Sequence, residues 1–237
     1  MTQAVIFDID GTLLDFVDLH AQAWQEAFRH FGQEIPFDQI RAQIGKGGDQ
    51  LLPVFLSSEE LKEKGKALEE FRGSLFKQKY LPKVRSFPCV RELFQKLDAN
   101  GQQIALASSA KPDELKTFEQ IANIQDLVSV ETSSGDAERS KPHPDIFEAA
   151  LDRLEKVRRE EIVVVGDSPH DAEAARKAGL RTVGVLCGGF PEVALREAGC
   201  IAIYADPADL LRRYEDSPLA KRSLSRAAAD PRAERHH

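Results

Sequence analysis

Cysteine is scarce in this chain, and long apolar runs are missing from it. The three cysteines, Cys89, Cys187 and Cys200, are odd in number, lie far apart and lack the spacing of metal ligands. We therefore expect no disulfide and no zinc site, and we predict a reducing, cytoplasmic compartment. No stretch approaches the ~18 consecutive apolar residues that a membrane-spanning helix needs. Asp8 also interrupts the apolar N-terminal segment that a secretion signal would require, so we expect no membrane partner.

Basic residues are outnumbered by acidic ones, and the formal net charge is −7. Segment 217–237 holds five basic and two acidic residues, a net charge of +3, which leaves −10 on the rest of the chain. An acidic body repels a phosphate backbone, so we expect no nucleic-acid partner. The same segment is rich in Ala, Arg and Ser, and we predict that it is a disordered tail.

Two closely spaced carboxylates dominate the N-terminal region. Asp8 and Asp10 follow the apolar segment Ala4–Phe7, which has the composition of a buried parallel strand. Residues i and i+2 of a strand face the same way, and two carboxylates ~4 Å apart repel by about 4 kcal/mol at an effective dielectric near 20. Such a pair persists when a cation bridges it or when one carboxyl stays protonated. The alternative is a strand end with solvated acids.

The remaining chain divides into a helical block and an alternating region. Apolar residues recur at helical spacing from Leu19 to Phe31 and again from Leu61 to Leu75. Beyond about residue 88, strand-like and helical segments alternate, which predicts an α/β fold with a Rossmann-like, doubly wound parallel sheet. The predicted strands after the first are Ile104–Ala107, Leu127–Val130, Ile162–Val165, Thr182–Val185 and Ile201–Tyr204. We predict a core of residues 1–15 and 82–216 with an inserted all-helical cap at 16–81.

Three further polar clusters lie at or beyond the ends of predicted strands, where parallel sheets bind ligands. They are Ser108-Ser109, Lys141-Pro142 and Gly166-Asp167-Ser168-Pro169-His170-Asp171. Each has a simpler explanation by itself. The two serines are typical of a turn or helix N-cap, Lys141 of an exposed lysine, and Gly166–Pro169 of N-capping of the next helix. Their common placement favours a shared site.

This set of side chains suits phosphoryl transfer, in which positioning and electrostatics provide most of the catalysis. We predict that the Asp8 carboxylate attacks the phosphorus, and that Asp10 protonates the leaving oxygen and then activates water. Lys141 and Ser108 are predicted to hold phosphate oxygens, and Gly11, Thr12 and Ser109 belong to the same predicted phosphate-binding set. The predicted cofactor is Mg²⁺, which prefers oxygen ligands, held by Asp8, the backbone carbonyl of Asp10 and Asp167.

The order of these motifs resembles the haloacid dehalogenase superfamily, over about residues 3–205. The motifs are Asp8-Ile9-Asp10-Gly11-Thr12, Ser108, Lys141-Pro142 and Gly166–Asp171. The resemblance implies a helical cap that closes over the site, and it implies the roles given above, with Asp171 as a second-shell or water-mediated metal ligand. The founding dehalogenases lack the second aspartate of the first motif. Because Asp10 is present, the resemblance implies phosphoryl chemistry rather than carbon–halogen cleavage.

The cap region leaves several activities open. Asp15, His20 and Trp24 look like the corresponding region of β-phosphoglucomutase, so we include His20 among the candidate substrate-binding residues. That mutase family has a cap-loop arginine that grips a distal phosphate, and here the loop is Gly45-Lys46-Gly47-Gly48-Asp49. Lys46 is therefore a candidate substrate residue that lacks the bidentate fork of arginine.

We expect a phosphatase that acts on a small phosphorylated metabolite, similar to phosphoglycolate or a sugar phosphate, and that is a monomer or weak dimer. The first alternative is a phosphomutase. A phosphonoacetaldehyde hydrolase, with Lys46 as a Schiff-base lysine, and a non-catalytic binding module on the same fold are the other two alternatives.

Overall fold

A six-stranded parallel sheet forms the centre of the protein in the computed structural model, which describes residues 1–154 and 156–221. The strands of the described residues are β1 Ala4–Phe7, β2 Leu14–Asp15, β3 Arg85–Ser86, β4 Gln103–Ala107, β5 Val130–Thr132, β6 Ile162–Gly166, β7 Arg181–Val185 and β8 Ala202–Tyr204. The sheet order is β5-β4-β1-β6-β7-β8, with every neighbouring pair parallel. The predicted fold class is confirmed.

The central strand β1 explains the apolar N-terminal segment. All four of its residues are fully buried, because helices cover both faces of the sheet. On one face Val5 and Phe7 pack in a cluster that includes Phe94, and on the other Ala4 and Ile6 pack in a cluster that includes Phe147. β4 lies on one side of β1 and β6 on the other, and after β1 the chain forms β4 and β5 before it crosses back to β6. This reversal of strand order opens a crevice at the carboxyl end of β1.

One predicted strand is displaced along the chain. The sequence placed it at Leu127–Val130, whereas β5 begins at Val130. The Leu127 amide donates to Ile124 and closes a turn after the preceding helix. Leu127 and Val128 are apolar because they pack on the core cluster, not because they pair in the sheet. Thr132 enters the sheet instead, where its hydroxyl donates to the carbonyl of Leu106 at 2.9 Å.

Helices surround the sheet and fill the insertion between β2 and β3. The α-helices are α1 Val17–His30, α2 Phe37–Arg41, α3 Gly48–Phe55, α4 Ser58–Glu60, α5 Lys66–Leu75, α6 Val90–Ala99, α7 Pro112–Ala122, α8 Asp145–Arg153, α9 Pro169–Lys177, α10 Glu192–Glu197 and α11 Pro207–Arg212. Two π-helical turns, Leu61–Gly65 and Phe76–Tyr80, flank α5. Short 3₁₀ turns are Leu81–Lys83, Ser134–Asp136, Arg159–Glu161 and Tyr214–Asp216. Among these described elements, no helix combines the length and apolarity required to cross a membrane.

The insertion has its own apolar core and is joined to the sheet by two short strands. Trp24, Phe28 and Leu51 belong to a buried cluster contributed by the inserted helices. The strands β2 and β3 pair antiparallel, with Leu14 opposite Ser86 and Asp15 opposite Arg85. The chain therefore enters and leaves the insertion at one place. The boundaries at residues 16 and 81 stay a prediction.

The C-terminal segment begins differently from the prediction. Residues 217–221 pack against the core instead of starting a disordered tail, and Leu219 is fully buried. The Leu219 carbonyl accepts a hydrogen bond from Gln102 at 2.8 Å, and the Pro218 carbonyl accepts one from Thr2 at 2.7 Å. These long-range bonds hold a segment whose composition alone indicates little order. Residues 222–237 of the predicted tail lie outside the described residues.

Candidate active site

The carboxyl ends of three neighbouring strands bring the polar motifs together. Asp8 follows β1, Ser108 follows β4 and Asp167 follows β6, and these three strands are adjacent in the sheet. All three side chains are buried. The alternative of a solvated strand end at Asp8 is therefore wrong, because the fold encloses this carboxylate.

Lys141 is the cation of the site. Its Nζ lies 2.5 Å from Oδ1 of Asp8 and 2.8 Å from Oδ1 of Asp171, and it donates to the Ala107 carbonyl at 3.0 Å. Only 1% of the residue is exposed, so the alternative of a surface lysine is wrong. Burial opposes the positive charge, but the carboxylates of Asp171 and Asp8 outweigh it and raise the pKa of Lys141.

Asp171 holds both the lysine and the following helix. Its Oδ2 accepts hydrogen bonds from the Ser168 amide at 3.1 Å and the Ser168 hydroxyl at 2.6 Å, while the same hydroxyl accepts from the Asp171 amide. This reciprocal arrangement is the capping box of α9. The prediction that this motif caps the next helix is confirmed. The same aspartate also contacts Lys141, so capping is only part of its role.

Three buried carboxylates converge beside the lysine. Asp8, Asp167 and Asp171 each offer an oxygen, and these oxygens lie within 4.8 Å of one another. The Thr12 hydroxyl lies 3.1 Å from Asp8 Oδ2 and 3.2 Å from Asp167 Oδ1. Burial, followed by the charge of Asp171, raises the pKa of Asp8 to about 6, and burial raises the pKa of Asp167 well above its usual value. One ammonium cannot balance three carboxylates, so the site favours a further cation.

The backbone leaves room around Asp167 that a side chain would fill. A Cβ added to Gly11, whose φ is +86°, would lie 2.5 Å from Asp167 Oδ2, and one added to Gly188 would lie 1.7 Å from it. Both glycines therefore allow the main chain to approach this carboxylate closely. Gly11, predicted to bind phosphate, lies against Asp167. An all-oxygen donor set in such a cradle fits Mg²⁺.

The Asp10 side chain faces away from this cluster. Its Oδ2 lies 3.5 Å from Nε2 of His20, and its Oδ1 is buried with no hydrogen-bond partner in the described part of the chain. Burial and the nearby charge of Asp8 raise the pKa of Asp10 to about 8, so this carboxyl retains a proton at neutral pH. The Asp10 side chain thus lies with the inserted helices and not among the three converging carboxylates.

Comparisons with known proteins identify the family of this chain. Residues 5–185 match the family described as haloacid dehalogenase-like hydrolase. The chain belongs to this family of enzymes. A phosphorylated carbohydrates phosphatase of Thermotoga maritima is 29% identical over 205 residues, which cover 85% of this chain and 93% of that protein. A phosphoglycolate phosphatase of Nitrosospira multiformis is 29% identical over 206 residues, which cover 85% of this chain and 90% of that protein. The crystal structure of a hydrolase from Pseudomonas syringae aligns with a TM-score of 0.83 at 28% identity, covering 91% and 99% of the two chains.

In this haloacid dehalogenase-like hydrolase, a cavity of about 280 Å³ lies between the inserted helices and the carboxyl edge of the sheet. Four residues of the predicted site line it: Asp10, His20, Lys46 and Ser109. Lys46 Nζ donates to Oε1 of Gln43 at 2.6 Å, and burial lowers its pKa. The His20 ring stacks on Phe76 with centroids 4.1 Å apart. Burial and the charge of Arg72 lower the pKa of His20 far enough to keep its ring neutral.

Arg72 of this hydrolase is a cavity residue that was not predicted from the sequence. Its guanidinium lies 4.6 Å from the Trp24 ring centroid and lines the cavity. Its Nε is buried and lacks a hydrogen-bond partner among the described residues. One signal was present in the sequence: Arg72 lies four residues after Leu68 and three before Leu75, so this charge sits on the apolar face of α5. Four acids that line the same cavity were not predicted as site residues either: Asp49, Glu69, Glu114 and Glu138.

Proposed function

We propose that the protein is a Mg²⁺-dependent phosphatase that hydrolyses a phosphate monoester of a small metabolite through an aspartyl-phosphate on Asp8. The observation that carries this proposal is the buried contact of Lys141 with Asp8 and Asp171, beside a cavity that Asp10 also lines. A nucleophile, a fixed cation and a protonated acid are thus within one site. The names of the two phosphatase relatives support the same activity.

In the first step, the Asp8 carboxylate attacks phosphorus, a new O–P bond forms, and the bond to the leaving oxygen breaks. Asp10 transfers its proton to that oxygen, in agreement with its raised pKa. Lys141 donates to a phosphate oxygen. The Ser108 hydroxyl accepts from the Ala110 amide at 3.1 Å, which leaves its hydrogen for another phosphate oxygen.

In the second step, water attacks the phosphorus of the aspartyl-phosphate. Asp10, now a carboxylate, takes a proton from this water, and the bond between phosphorus and Asp8 breaks. Free phosphate and the original carboxylate result, and Asp10 is again protonated. The same side chain therefore serves as acid and then as base.

Asp8, Asp167 and Asp171 are the side chains that would hold Mg²⁺, and the backbone carbonyl of Asp10 stays a predicted fourth donor. The bound ion would supply positive charge that offsets the repulsion between the carboxylates and an incoming phosphate. We further propose that residues 16–81 act as a cap over a core of residues 1–15 and 82–216, and that the cap excludes water during the first step.

The cavity lining supports a small polar substrate such as a sugar phosphate or phosphoglycolate. Lys46 and Arg72 offer donors, and Glu69 and Glu114 offer acceptors for hydroxyl groups. A phosphomutase is a second candidate. The loop at residues 45–49 lacks the arginine of the mutases, but Arg72 supplies an arginine to the cavity from another helix. Its planar fork could hold a second phosphate by two bonds.

A panel of phosphate esters with Mg²⁺, with Asp8→Asn as the inactive control, tests the proposal. With β-glucose 1-phosphate, release of inorganic phosphate supports the phosphatase. Formation of glucose 6-phosphate supports the mutase instead. No turnover of any ester by the wild type would contradict both.

A further inference from the structure

One segment of the insertion, residues 41–49, reaches three loops of the core. Three hydrogen bonds join them: Arg41 Nη2 to the Gly188 carbonyl at 2.9 Å, His170 Nε2 to the Ala42 carbonyl at 3.3 Å, and the Ser140 amide to Asp49 Oδ2 at 3.1 Å. Each core partner neighbours a charge of the site. Gly188 lies against Asp167, His170 precedes Asp171, and Ser140 precedes Lys141.

The contact at Ser140 is the most direct of the three. Asp49 accepts a bond from the main-chain amide of the residue adjacent to Lys141. Gly47 lies so close that an added Cβ would be 2.0 Å from the Ser140 hydroxyl oxygen and 2.5 Å from the Ser140 Cβ. Both Asp49 and Ser140 line the cavity. The insertion thus touches Ser140 by a hydrogen bond and by packing.

A displacement of Ser140 would reach Lys141, because the two residues are adjacent and the loop that holds them is restricted. Pro142 and Pro144 restrict its backbone. On its core side, the loop is tied by the Arg139 amide, which donates to Asp145 at 3.0 Å. Among the described residues, the Ser140 amide donates its hydrogen bond to the Asp49 carboxylate. When the insertion moves away, this amide loses its protein partner.

We propose that Asp49 is a positioning residue whose bond to the Ser140 amide, formed when the insertion is closed, fixes the Lys141 ammonium between Asp8 and Asp171. This inference rests on the proposed phosphatase function. It assigns Asp49 an effect on the reaction rate that is the same for every substrate. It also makes the close approach of Gly47 to Ser140 part of the same contact.

The kinetic test compares Asp49→Ala, Asp49→Asn and, as a matched control, Asp38→Ala, which removes an exposed carboxylate from the same insertion. Asp49→Ala should lower kcat about 10- to 100-fold through misplacement of Lys141, with little change in KM. Asp49→Asn keeps an acceptor oxygen and should recover most of the rate, and Asp38→Ala should match the wild type. A loss confined to KM, or to one substrate, would make Asp49 a substrate contact and overturn the proposal.

A second pair of variants tests the packing contact. Gly47→Ala should lower kcat as Asp49→Ala does, because the new methyl group meets Ser140. Ser140→Gly keeps the backbone amide and removes the two nearest clashing atoms, although the new methyl group still lies 2.7 Å from Asp49 Oδ1. The double variant Gly47→Ala, Ser140→Gly should therefore be more active than Gly47→Ala alone. If Gly47→Ala is as active as the wild type, the contact does not position the loop.

Hydrogen–deuterium exchange provides a measurement independent of turnover, with Mg²⁺ and beryllofluoride present. The Ser140 amide should exchange faster in Asp49→Ala than in the wild type, Asp49→Asn or Asp38→Ala. Unchanged exchange at Ser140 would overturn the inference even if the enzyme is a phosphatase. If the wild type is inactive on every ester, the proposed function fails, and this exchange still decides whether Asp49 fixes the loop.

Discussion

The Lys141 ammonium lies 2.5 Å from a carboxylate oxygen of Asp8, although the two residues are 133 positions apart in the chain. The same ammonium lies 2.8 Å from Oδ1 of Asp171. In the proposed reaction, a phosphate oxygen that accepts a bond from Lys141 would compete with Asp8 for it. Substrate binding would then release the Asp8 oxygen that attacks, so the lysine links phosphate recognition to activation of the nucleophile.

Removal of divalent metal should abolish turnover, and added Mg²⁺ should restore it. The reason is that the single positive charge of Lys141 cannot balance the negative charges of Asp8, Asp167 and Asp171. Mg²⁺ should also raise the Tm of the wild type by binding the folded state. Asp167→Asn should reduce that rise. Full activity in the presence of EDTA would refute the proposed metal site.

The substitution Asp8→Asn should remove activity and leave the fold intact or stabilised, since it deletes one charge from a repulsive cluster. Mass spectrometry of substrate-treated wild type should find one added phosphoryl group on Asp8, and the variant should show none. Turnover by Asp8→Asn at the wild-type rate would rule out the nucleophile assignment.

Replacement of the buried Lys141 should lower kcat/KM far more than replacement of an exposed lysine. Lys141→Ala should weaken transition-state stabilisation by about 2–4 kcal/mol, the range for one lost electrostatic donor, as measured by kcat/KM. Lys66→Ala is the matched control, since the Lys66 side chain is 90% exposed. A loss below tenfold in Lys141→Ala would contradict its proposed role.

Lys46 and Arg72, two of the basic residues that line the cavity, should control substrate choice. Lys46→Ala and Arg72→Ala should each change the ranking of substrates more than the Mg²⁺ requirement, because both side chains line the cavity away from the three carboxylates. The measurement is kcat/KM over an ester panel. Equal losses for all esters would argue against specificity roles. A carbonyl substrate trapped on Lys46 by borohydride would instead support the Schiff-base alternative.

Stability should depend on pH through Glu119, outside the site. Burial, followed by the charge of Glu131, raises the pKa of Glu119 from 4.5 to about 7 in the folded protein. The folded state therefore binds this proton more tightly, and the resulting stabilisation is complete below pH 4.5 and lost as pH rises through about 7. Glu119→Gln should raise Tm at pH 8 relative to wild type, whereas the exposed Glu63→Gln should not. An unchanged Tm difference between pH 5 and 8 would contradict this.

Local sequence patterns were sufficient for most strands of the parallel sheet and for the residues that follow them. Asp8 directly follows an apolar segment of four residues, and Asp167 follows another one after Gly166, so their strand-end positions are predictable from pattern alone. The displaced β5 shows the limit of this approach, because Leu127 and Val128 are apolar for packing and not for pairing. The prediction of disorder from composition was wrong at residues 217–221. This segment is held by hydrogen bonds to Thr2 and Gln102, which are far away in sequence.

Contacts between distant segments could not be predicted. The bond between Lys141 and Asp171 and the turning of the Asp10 side chain toward His20 depend on how separate loops meet. Arg72 reaches the cavity only because the insertion folds over the sheet edge. Its placement on an apolar helix face was visible in the sequence, but the cavity that explains it was not.

The antiparallel pair of β2 and β3 makes the whole insertion equivalent, for the core, to the loop of a hairpin. Leu14 and Ser86 lie opposite each other, so the strand pair joins the two ends of the insertion. The entropic cost of closing a loop grows by only about 0.6 kcal/mol for each doubling of its length. A helical block of another size or sequence can thus occupy this position without altering the sheet. During evolution, the part that recognises the substrate can diverge as a cassette while the carboxylates and Lys141 stay in place.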